Sequence, residues 1–332
     1  MTGGGRRLSD AAKKARLVRA FLRGEPIHST WQLSPRCEAF CHFCDHRPEA
    51  AAAEIDAPAW AAVADELGRR SSLLVSFTGS EPFLRSDLAA IVRAIAARHF
   101  PLLVTNGWLV TPAGARAVWE AGLAAATVCL EDALPDLHDA VVGLPGSHAR
   151  AVRAIETLSA ERARPGQRVN VRTRLRGPDT GPLERVLALA SGLGVTVSAE
   201  ATFPLPGLNG DAAGLVSRLR ELRRRHPHLR TASSAPEAMG RAVSGGVPGC
   251  LAGKGFFNVD HRGRASKCLE FRGVADHLGT LPEDGAARLR PRLRAAHAAN
   301  DCRACWYASR AEVEALYTLR GFLSGLTTLV SA

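Results

Sequence analysis

Apolar positions along the chain recur with two periods, and the switches between them lay out the fold. Short β-type runs occur at 28–34, 72–78, 101–106, 124–130, 168–175 and 195–202. Helical patterns lie between them, near 56–70, 87–98, 111–121, 147–162 and 182–193. Strands alternating with helices imply right-handed crossovers and a parallel sheet. Six such units predict an α/β fold, a partial (β/α)6 barrel of the TIM type, two strands short of a closed one. Residues 8–24 read as an amphipathic helix with Leu17, Val18, Phe21 and Leu22 on one side, so 1–27 form a helical extension packed on the body.

The barrel is expected to occupy 28–245. Its last part, 203–245, is a transition: a Pro/Gly loop, a basic helix near 211–226, then a Ser/Ala/Gly-rich stretch. After 246 the strand–helix rhythm stops, which marks 246–332 as a second, smaller domain.

Alternation within the strands separates two faces. Ala126, Val128 and Leu130 share one side, and Thr127, Cys129 and Glu131 the other. Further polar sets are Asn170, Arg172 and Arg174; Thr196, Ser198 and Glu200; and Thr30, Gln32 and Ser34. Helices cover the outside of a parallel barrel, so the polar sets point inward. An apolar core would not accept two arginines and two glutamates without partners. The pattern predicts a polar, ligand-filled interior open at the strands' C-terminal ends; the alternative is that these four residues pair with one another.

Composition narrows the class. An apolar fraction of 46% and a charged fraction of 23% suit a globular protein. No apolar run reaches the roughly 20 residues of a membrane span. The start, MTGGGRRLSDAAKKARL, lacks an apolar signal core, so a cytoplasmic location is expected. The net charge is +11, but the basic residues are scattered and match no nucleic-acid reader motif, so no nucleic-acid partner is expected. An acidic redox partner or an anionic substrate fits the charge. The run Arg223-Arg224-Arg225 reads as a solvated helix face, with docking of an acidic flavodoxin or ferredoxin as the sharper alternative.

Eight cysteines organise the chemistry, at 37, 41, 44, 129, 250, 268, 302 and 305. Clusters of this kind in a cytosolic chain point to metal or redox chemistry. Cys37, Cys41 and Cys44 follow the first strand in the segment CEAFCHFC. Three thiolates on one loop can hold three irons of a [4Fe–4S] cube and leave the fourth open to a small molecule. Zinc, with His42 or His46 as fourth ligand, is the rival.

This segment resembles the CxxxCxxC loop of the radical S-adenosylmethionine (SAM) superfamily, including the aromatic Phe43 before the last cysteine. Thr78-Gly79-Ser80-Glu81-Pro82 is similar to that family's T-G-G-E-P, with one Gly replaced by Ser. Thr105-Asn106-Gly107 matches its T-N-G, and Cys129-Leu130-Glu131 stands where many members have S-L-D. His138-Asp139, Gly143 and Gly146 follow as in those members. The resemblance runs from about residue 28 to 200. It implies that the open iron binds the amino and carboxylate groups of SAM, and that one electron cleaves SAM to a 5′-deoxyadenosyl radical that removes a substrate hydrogen. Gly79, Ser80 and Glu81 would receive the methionine amino group. Phe43 would lie against the adenine, Asn106 beside the cofactor, and Arg172 or Arg174 would pair with the SAM carboxylate. Ser80 adds a Cβ at a tight turn and requires a compatible backbone angle.

Cys250, Cys268, Cys302 and Cys305 form the second group. Between the first two, Phe256 to Gly263 carry a hairpin signal that brings Cys250 and Cys268 to neighbouring ends. Cys302 and Cys305 are expected to open a helix that reaches across. Four cysteines complete one cluster with no open iron, or a structural zinc site. The region resembles the SPASM/twitch extension of some radical SAM enzymes, in its shorter twitch form. That implies one auxiliary [4Fe–4S] cluster able to move an electron. Trp306 and Tyr307 would shield it, and the lone histidines His138, His148 and His261 are expected at the surface or in loops.

The function so implied is radical SAM oxidation or epimerisation of a small molecule, such as a sugar or aminocyclitol of secondary metabolism. The alternative is maturation of a ribosomally made peptide, and the non-enzymatic alternative is an iron–sulfur or zinc module for nucleic acid. The 36 residues before Cys37 are too few for a fused peptide-recognition domain, which puts the small molecule first. Cys129, left over by both clusters, reads as a small half-buried residue or as an inward thiol that returns a hydrogen atom to a substrate radical. A flavodoxin or ferredoxin-type donor is the expected electron source.

Overall fold

The structure is a computed structural model. It describes residues 7–44, 53–201, 212–230, 235–244, 249–269, 276–303, 310, 313–314 and 316–317. The chain opens with α1 (Asp10–Leu22), and β1 (His28–Gln32) follows. Then come α2 (Ala57–Gly68), β2 (Leu74–Thr78), α3 (Leu88–Ala96), β3 (Phe100–Thr105), α4 (Pro112–Ala121) and β4 (Ala125–Cys129). Two helices, α5 (Pro135–Val142) and α6 (Ser147–Ala160), precede β5 (Arg168–Leu175), which is followed by α7 (Gly181–Gly192), β6 (Thr196–Ala201) and α8 (Ala212–Arg225). The helix starts carry their chemistry openly. Ser9, Asp56 and Thr111 accept from Ala12 N, Ala59 N and Gly114 N, and a proline sits in the first turn of both α2 and α4.

The strands β1 to β6 pair in sequence order, each parallel to the next. This is the partial barrel that the alternation predicts. The apolar face of each strand meets the helices: Val75 and Phe77, Leu103, Ala126 and Val128, and Val171 and Val197 are buried in one core. Trp31 of β1 stacks on Trp60 of α2 with ring centres 5.1 Å apart. The polar face turns inward, where neighbouring residues share levels. Thr127 lies beside Asn170, and Asn170 beside Thr196; one step higher, Cys129 lies beside Arg172 and Arg172 beside Ser198.

Beyond the barrel the structure departs from the expected pattern. The Ser/Ala/Gly-rich stretch contains α9 (Ala235–Ser244), packed on α8 through Ala238 and Met239. After 246 the strand–helix alternation gives way to three strands in a row, and the sheet carries on through them. β7 (Phe256–Val259) pairs parallel with β1, and β8 (Arg264–Ser266) and β9 (His277–Thr280) extend the sheet antiparallel. Among the described residues the sheet is continuous, in the order β6-β5-β4-β3-β2-β1-β7-β8-β9. The helix α10 (Leu281–Ala298) then returns against α2. Its sequence hides it, because Gly285 breaks the helical angles near its start and Pro291 lies inside it. The expected hairpin is β7–β8, turning at Gly263.

Candidate functional site

The loop that carries Cys37, Cys41 and Cys44 leaves β1 at the C-terminal end of the barrel and is held from two sides. On the first side, Ser34 O accepts from Ser80 N at 2.8 Å, and Arg36 O accepts from Glu81 N at 2.8 Å. Gly79 makes this approach possible: it has φ +135°, and a Cβ there would lie 2.6 Å from Ser34 O. Ser80 needs no such freedom, since no non-glycine residue among those described has positive φ. Its hydroxyl instead donates to Pro35 O at 2.8 Å. The serine that departs from the family pattern thus ties the turn after β2 to the cysteine loop.

On the second side the loop runs along the C-terminal end of α5. Phe40 N and His42 N donate to Val142 O and Val141 O, at 3.0 and 3.1 Å. Gly143 closes α5 in the left-handed region, and a Cβ there would meet Phe40 O at 2.8 Å. His138 corrects the expectation of a surface or loop histidine. It is buried on α5, where Nδ1 accepts from Glu131 N at 3.0 Å, and burial with His148 close by holds its pKa down to about 4.

Glu81 is fully buried and spans two strand ends. Its Oε1 accepts from Phe83 N at 2.9 Å and from Thr105 Oγ1 at 2.8 Å; its Oε2 accepts from Asn106 N at 2.9 Å. Burial still pushes the carboxyl up to about 7, and the nearby Glu38 adds to the shift. Asn106 then reaches the cysteine loop. Its Nδ2 donates to Glu38 Oε1 at 3.0 Å and lies 3.7 Å from Cys37 Sγ.

Burial pushes the Cys37 and Cys41 thiols up to about 12; Cys44 and Glu38 add to it at Cys37, and Cys129, Glu131 and the other two loop thiols add to it at Cys41. The three thiols therefore lie within electrostatic reach of one another, although among the described residues no three Cys, His, Asp or Glu groups converge on a single ion position. Three cysteine thiols on one short loop are the donor type of an iron–sulfur cube, which deprotonates its ligands on binding. The donor set fits that group.

Inside the barrel the arginines and glutamates do pair with one another, as in the alternative reading of the alternation. Arg174 Nη1 donates to Glu131 Oε1 at 2.6 Å and its backbone N to Glu131 Oε2 at 3.1 Å, while Arg172 pairs with Glu200. Arg174 also lies over the Phe43 ring, 4.3 Å from guanidinium carbon to ring centre. One face of Phe43 is therefore covered by a guanidinium. Burial opposes the charge on Arg174, but Glu131, Cys129 and Glu200 outweigh it and raise the pKa above the ordinary arginine value. Burial also raises the Cys129 pKa, although Arg174 and Arg172 pull against it.

Sequence reasoning missed a second brace beneath the loop. Glu54 accepts from Ser34 Oγ at 2.7 Å, Arg36 Nε at 2.8 Å and Arg85 Nη1 at 3.2 Å. Arg85 is buried and also donates to Leu33 O, Ile55 O and Asp87. Its only sequence signal was a charge placed between apolar Leu84 and the start of α3.

Of the second cysteine group, Cys250 and Cys268 belong to one apolar cluster with Ala252, Phe256 and Val313. Cys302 lies in the non-helical stretch after α10, near enough to raise the Cys250 pKa beyond the effect of burial; the helix expected to open at Cys302 and Cys305 falls mostly on residues outside those described. Asn300 joins all three segments: Nδ2 donates to Cys250 O at 3.2 Å, and Oδ1 accepts from Lys267 Nζ at 3.2 Å and Cys302 N at 3.4 Å. Cys305, Trp306 and Tyr307 lie outside the described residues. Among the described residues no helix is long and apolar enough to cross a membrane.

The family model for the Radical SAM superfamily matches residues 31–219. Among curated proteins, the PqqA peptide cyclase of Ruegeria pomeroyi is 30% identical over 172 residues, 51% of this chain and 45% of that protein. The mycofactocin maturase MftC of Mycolicibacterium smegmatis is 34% identical over 148 residues, 43% of this chain and 38% of that protein. The chain thus spans less than half the length of these relatives. Among solved structures, Streptococcus suis SuiB bound to its precursor peptide SuiA superposes with a TM-score of 0.65 at 13% identity, covering 83% of this chain and 68% of that one.

Proposed function

The chain belongs to the radical SAM superfamily, and from that premise we propose that it modifies a ribosomally made peptide. Membership implies a [4Fe–4S] cluster and SAM, which when bound supply a hydrogen-abstracting radical at the mouth of the barrel. The expectation of a sugar-like substrate gives way to its alternative. The observation that carries this is the similarity to PqqA peptide cyclase and mycofactocin maturase over about half of the chain. The fold shared with the SuiB–peptide complex is compatible with it.

In this reading Cys37, Cys41 and Cys44 hold the cluster. The Gly79–Glu81 turn and Asn106 fix the loop at the place where SAM binds. Arg174 and Phe43 close the side toward β5, which leaves Arg172 and Arg174 to meet a carboxylate only by sharing it with Glu200 and Glu131. Cys129, inward and neutral by burial, is positioned as a hydrogen source. The second group, Cys250, Cys268, Cys302 and Cys305, holds an auxiliary cluster on the segment from 246 onward, and a flavodoxin or ferredoxin-type protein supplies electrons.

The test is anaerobic co-expression with the short open reading frames neighbouring the gene, followed by mass spectrometry of each peptide. A mass change in one peptide that disappears with the Cys37, Cys41 and Cys44 to Ala variant supports the reading. Unmodified peptides, together with 5′-deoxyadenosine formation that a cell metabolite extract stimulates, return the small-molecule reading to first place.

A further inference from the structure

The end of the barrel opposite the cysteine loop holds a cavity of about 200 Å³, between α1 and the first residues of β3, β4 and β5. Its floor is apolar and includes Phe100, Leu102 and Ala125. Leu102, Ala125 and Arg168 are neighbours in register on the inward face of the strands, so the Arg168 side chain starts at the foot of the barrel interior. A half-buried guanidinium thus stands in a layer that such barrels fill with branched apolar side chains.

Among the described residues four cations and one carboxylate line the cavity. The carboxylate, Asp10, is taken by Lys13: the ammonium lies 2.6 Å from Asp10 Oδ1, donates to Ala96 O at 3.2 Å and sits 4.9 Å from the centre of the Phe100 ring. Lys14, Arg164 and Arg168 complete the wall and make no ion pair among the described residues. Arg7 reaches the same wall, since a Cβ on Gly122 would lie 2.8 Å from Arg7 Nη2. Burial opposes the Asp10 charge, but Lys13, Arg164 and Lys14 outweigh it and hold the carboxyl below its ordinary value. Burial and the nearby Arg230 lower the pKa of Arg168. Cations gathered on a partly dehydrated wall lose hydration and repel one another, and an anion seated among them relieves both costs.

We propose that this cavity binds a small phosphate monoester, with its phosphate among Lys14, Arg164 and Arg168 and its apolar body on the floor at Phe100 and Leu102. Three cations without carboxylates match the concentrated double charge of a phosphate monoester better than a single carboxylate, and guanidinium forks suit phosphate oxygens. Drug-sized ligands occupy about 300–1,000 Å³, so a cavity of about 200 Å³ limits the body to one ring or a short chain. The site lies away from the cysteine loop and stands independently of the reading of the substrate. Its ligand ties α1, through Lys14, to the start of β5, through Arg168.

The experiment is isothermal titration calorimetry of the anaerobically reconstituted full chain with phenyl phosphate and with inorganic phosphate, at about 0.15 M salt. Wild type should bind one phenyl phosphate per chain, more tightly than inorganic phosphate. Arg168→Gln should weaken phenyl phosphate by about 10- to 100-fold, the range for a hydrogen bond to a charged group, and Lys14→Gln should weaken it as well. Arg168 has no ion pair to lose, so ligand-free Arg168→Gln should melt no lower than wild type. Phenyl phosphate should raise the melting temperature of wild type and leave that of Arg168→Gln unchanged. Wild type without saturable binding overturns the proposal, as does an affinity that neither substitution changes. Binding abolished by excess SAM overturns it by placing the ester at the other end of the barrel, and equal affinity for inorganic phosphate overturns the role of the apolar floor.

Discussion

Cys37, Cys41 and Cys44 come from one loop, whereas Cys250, Cys268 and Cys302 come from three segments. The loop of the first group is held by other parts of the barrel: its backbone by the turn after β2 and by Val141 and Val142 of α5, and its Glu38 side chain by Asn106 at the end of β3. In the second group Asn300 bridges the three segments. Local spacing defines the first site and tertiary packing defines the second. A short loop lets the fold pre-set its thiols at little entropic cost, while joining distant segments would leave more of that cost to the proposed auxiliary cluster.

The strongest way to break this contrast is to remove the first set of thiols. Replacing Cys37, Cys41 and Cys44 by Ala should abolish 5′-deoxyadenosine formation and lower iron from about eight to about four per chain. Iron and sulfide analysis after anaerobic reconstitution checks it; zinc in place of the remaining iron would show that the second site is structural zinc.

Asn300→Ala should act on the other site alone. Iron should fall toward about four per chain while SAM cleavage without substrate stays within about twofold of wild type, because the barrel loop shares no hydrogen bond with Asn300. Loss of both clusters would show that the two sites are one cooperative unit.

Cys129 stands outside both groups, and its substitution asks whether the barrel needs a thiol that no cluster uses. Cys129→Ala should leave SAM cleavage within severalfold of wild type and remove solvent deuterium from a product formed in D2O. Unchanged deuterium content in the product would reduce Cys129 to packing.

The smallest effect concerns Glu81. Burial lifts its pKa from about 4.5 to about 7, so the folded protein holds a proton there that the unfolded chain releases. Its contribution is fully present below about pH 4.5 and is lost as pH rises through 7, an effect on the order of 3 kcal/mol. His28, His99 and His138, held down to about 4 by burial, act in the opposite direction as pH falls below 6.5. The informative quantity is therefore the melting temperature of metal-free wild type minus that of Glu81→Gln, which should decrease between pH 5 and 8. A flat difference would place an ionised, fully solvated pair of oxygens at Glu81.

The same contrast explains what the sequence made legible. Period-2 and period-3.6 patterns placed β1 to β6 and most of the barrel helices within one or two residues, because each strand carries a helix-facing apolar row and each helix an apolar stripe. The cysteine loop and its glycine partners were legible because their spacing is local. α10 was hidden by Gly285 and Pro291, and α9 by its run of small residues. The pairing of β7 with β1 was invisible because β7 is only four residues long, and its register depends on a strand far away in sequence. The Glu54–Arg85 brace could not be read from spacing at all, since it depends on which donors the folded backbone leaves nearby.

The parallel pairing of β1 with β7 also bears on how the protein is made. A ribosome delivers β1 more than two hundred residues before β7. At about 5–20 residues per second, the outer edge of β1 stays bare for some 10–45 s of synthesis. A bare parallel edge next to an apolar core invites pairing with other nascent chains. Slower growth temperature and chaperone supply should therefore raise the yield of usable protein more than any change at the metal sites, and chains cut after residue 245 should accumulate as aggregates.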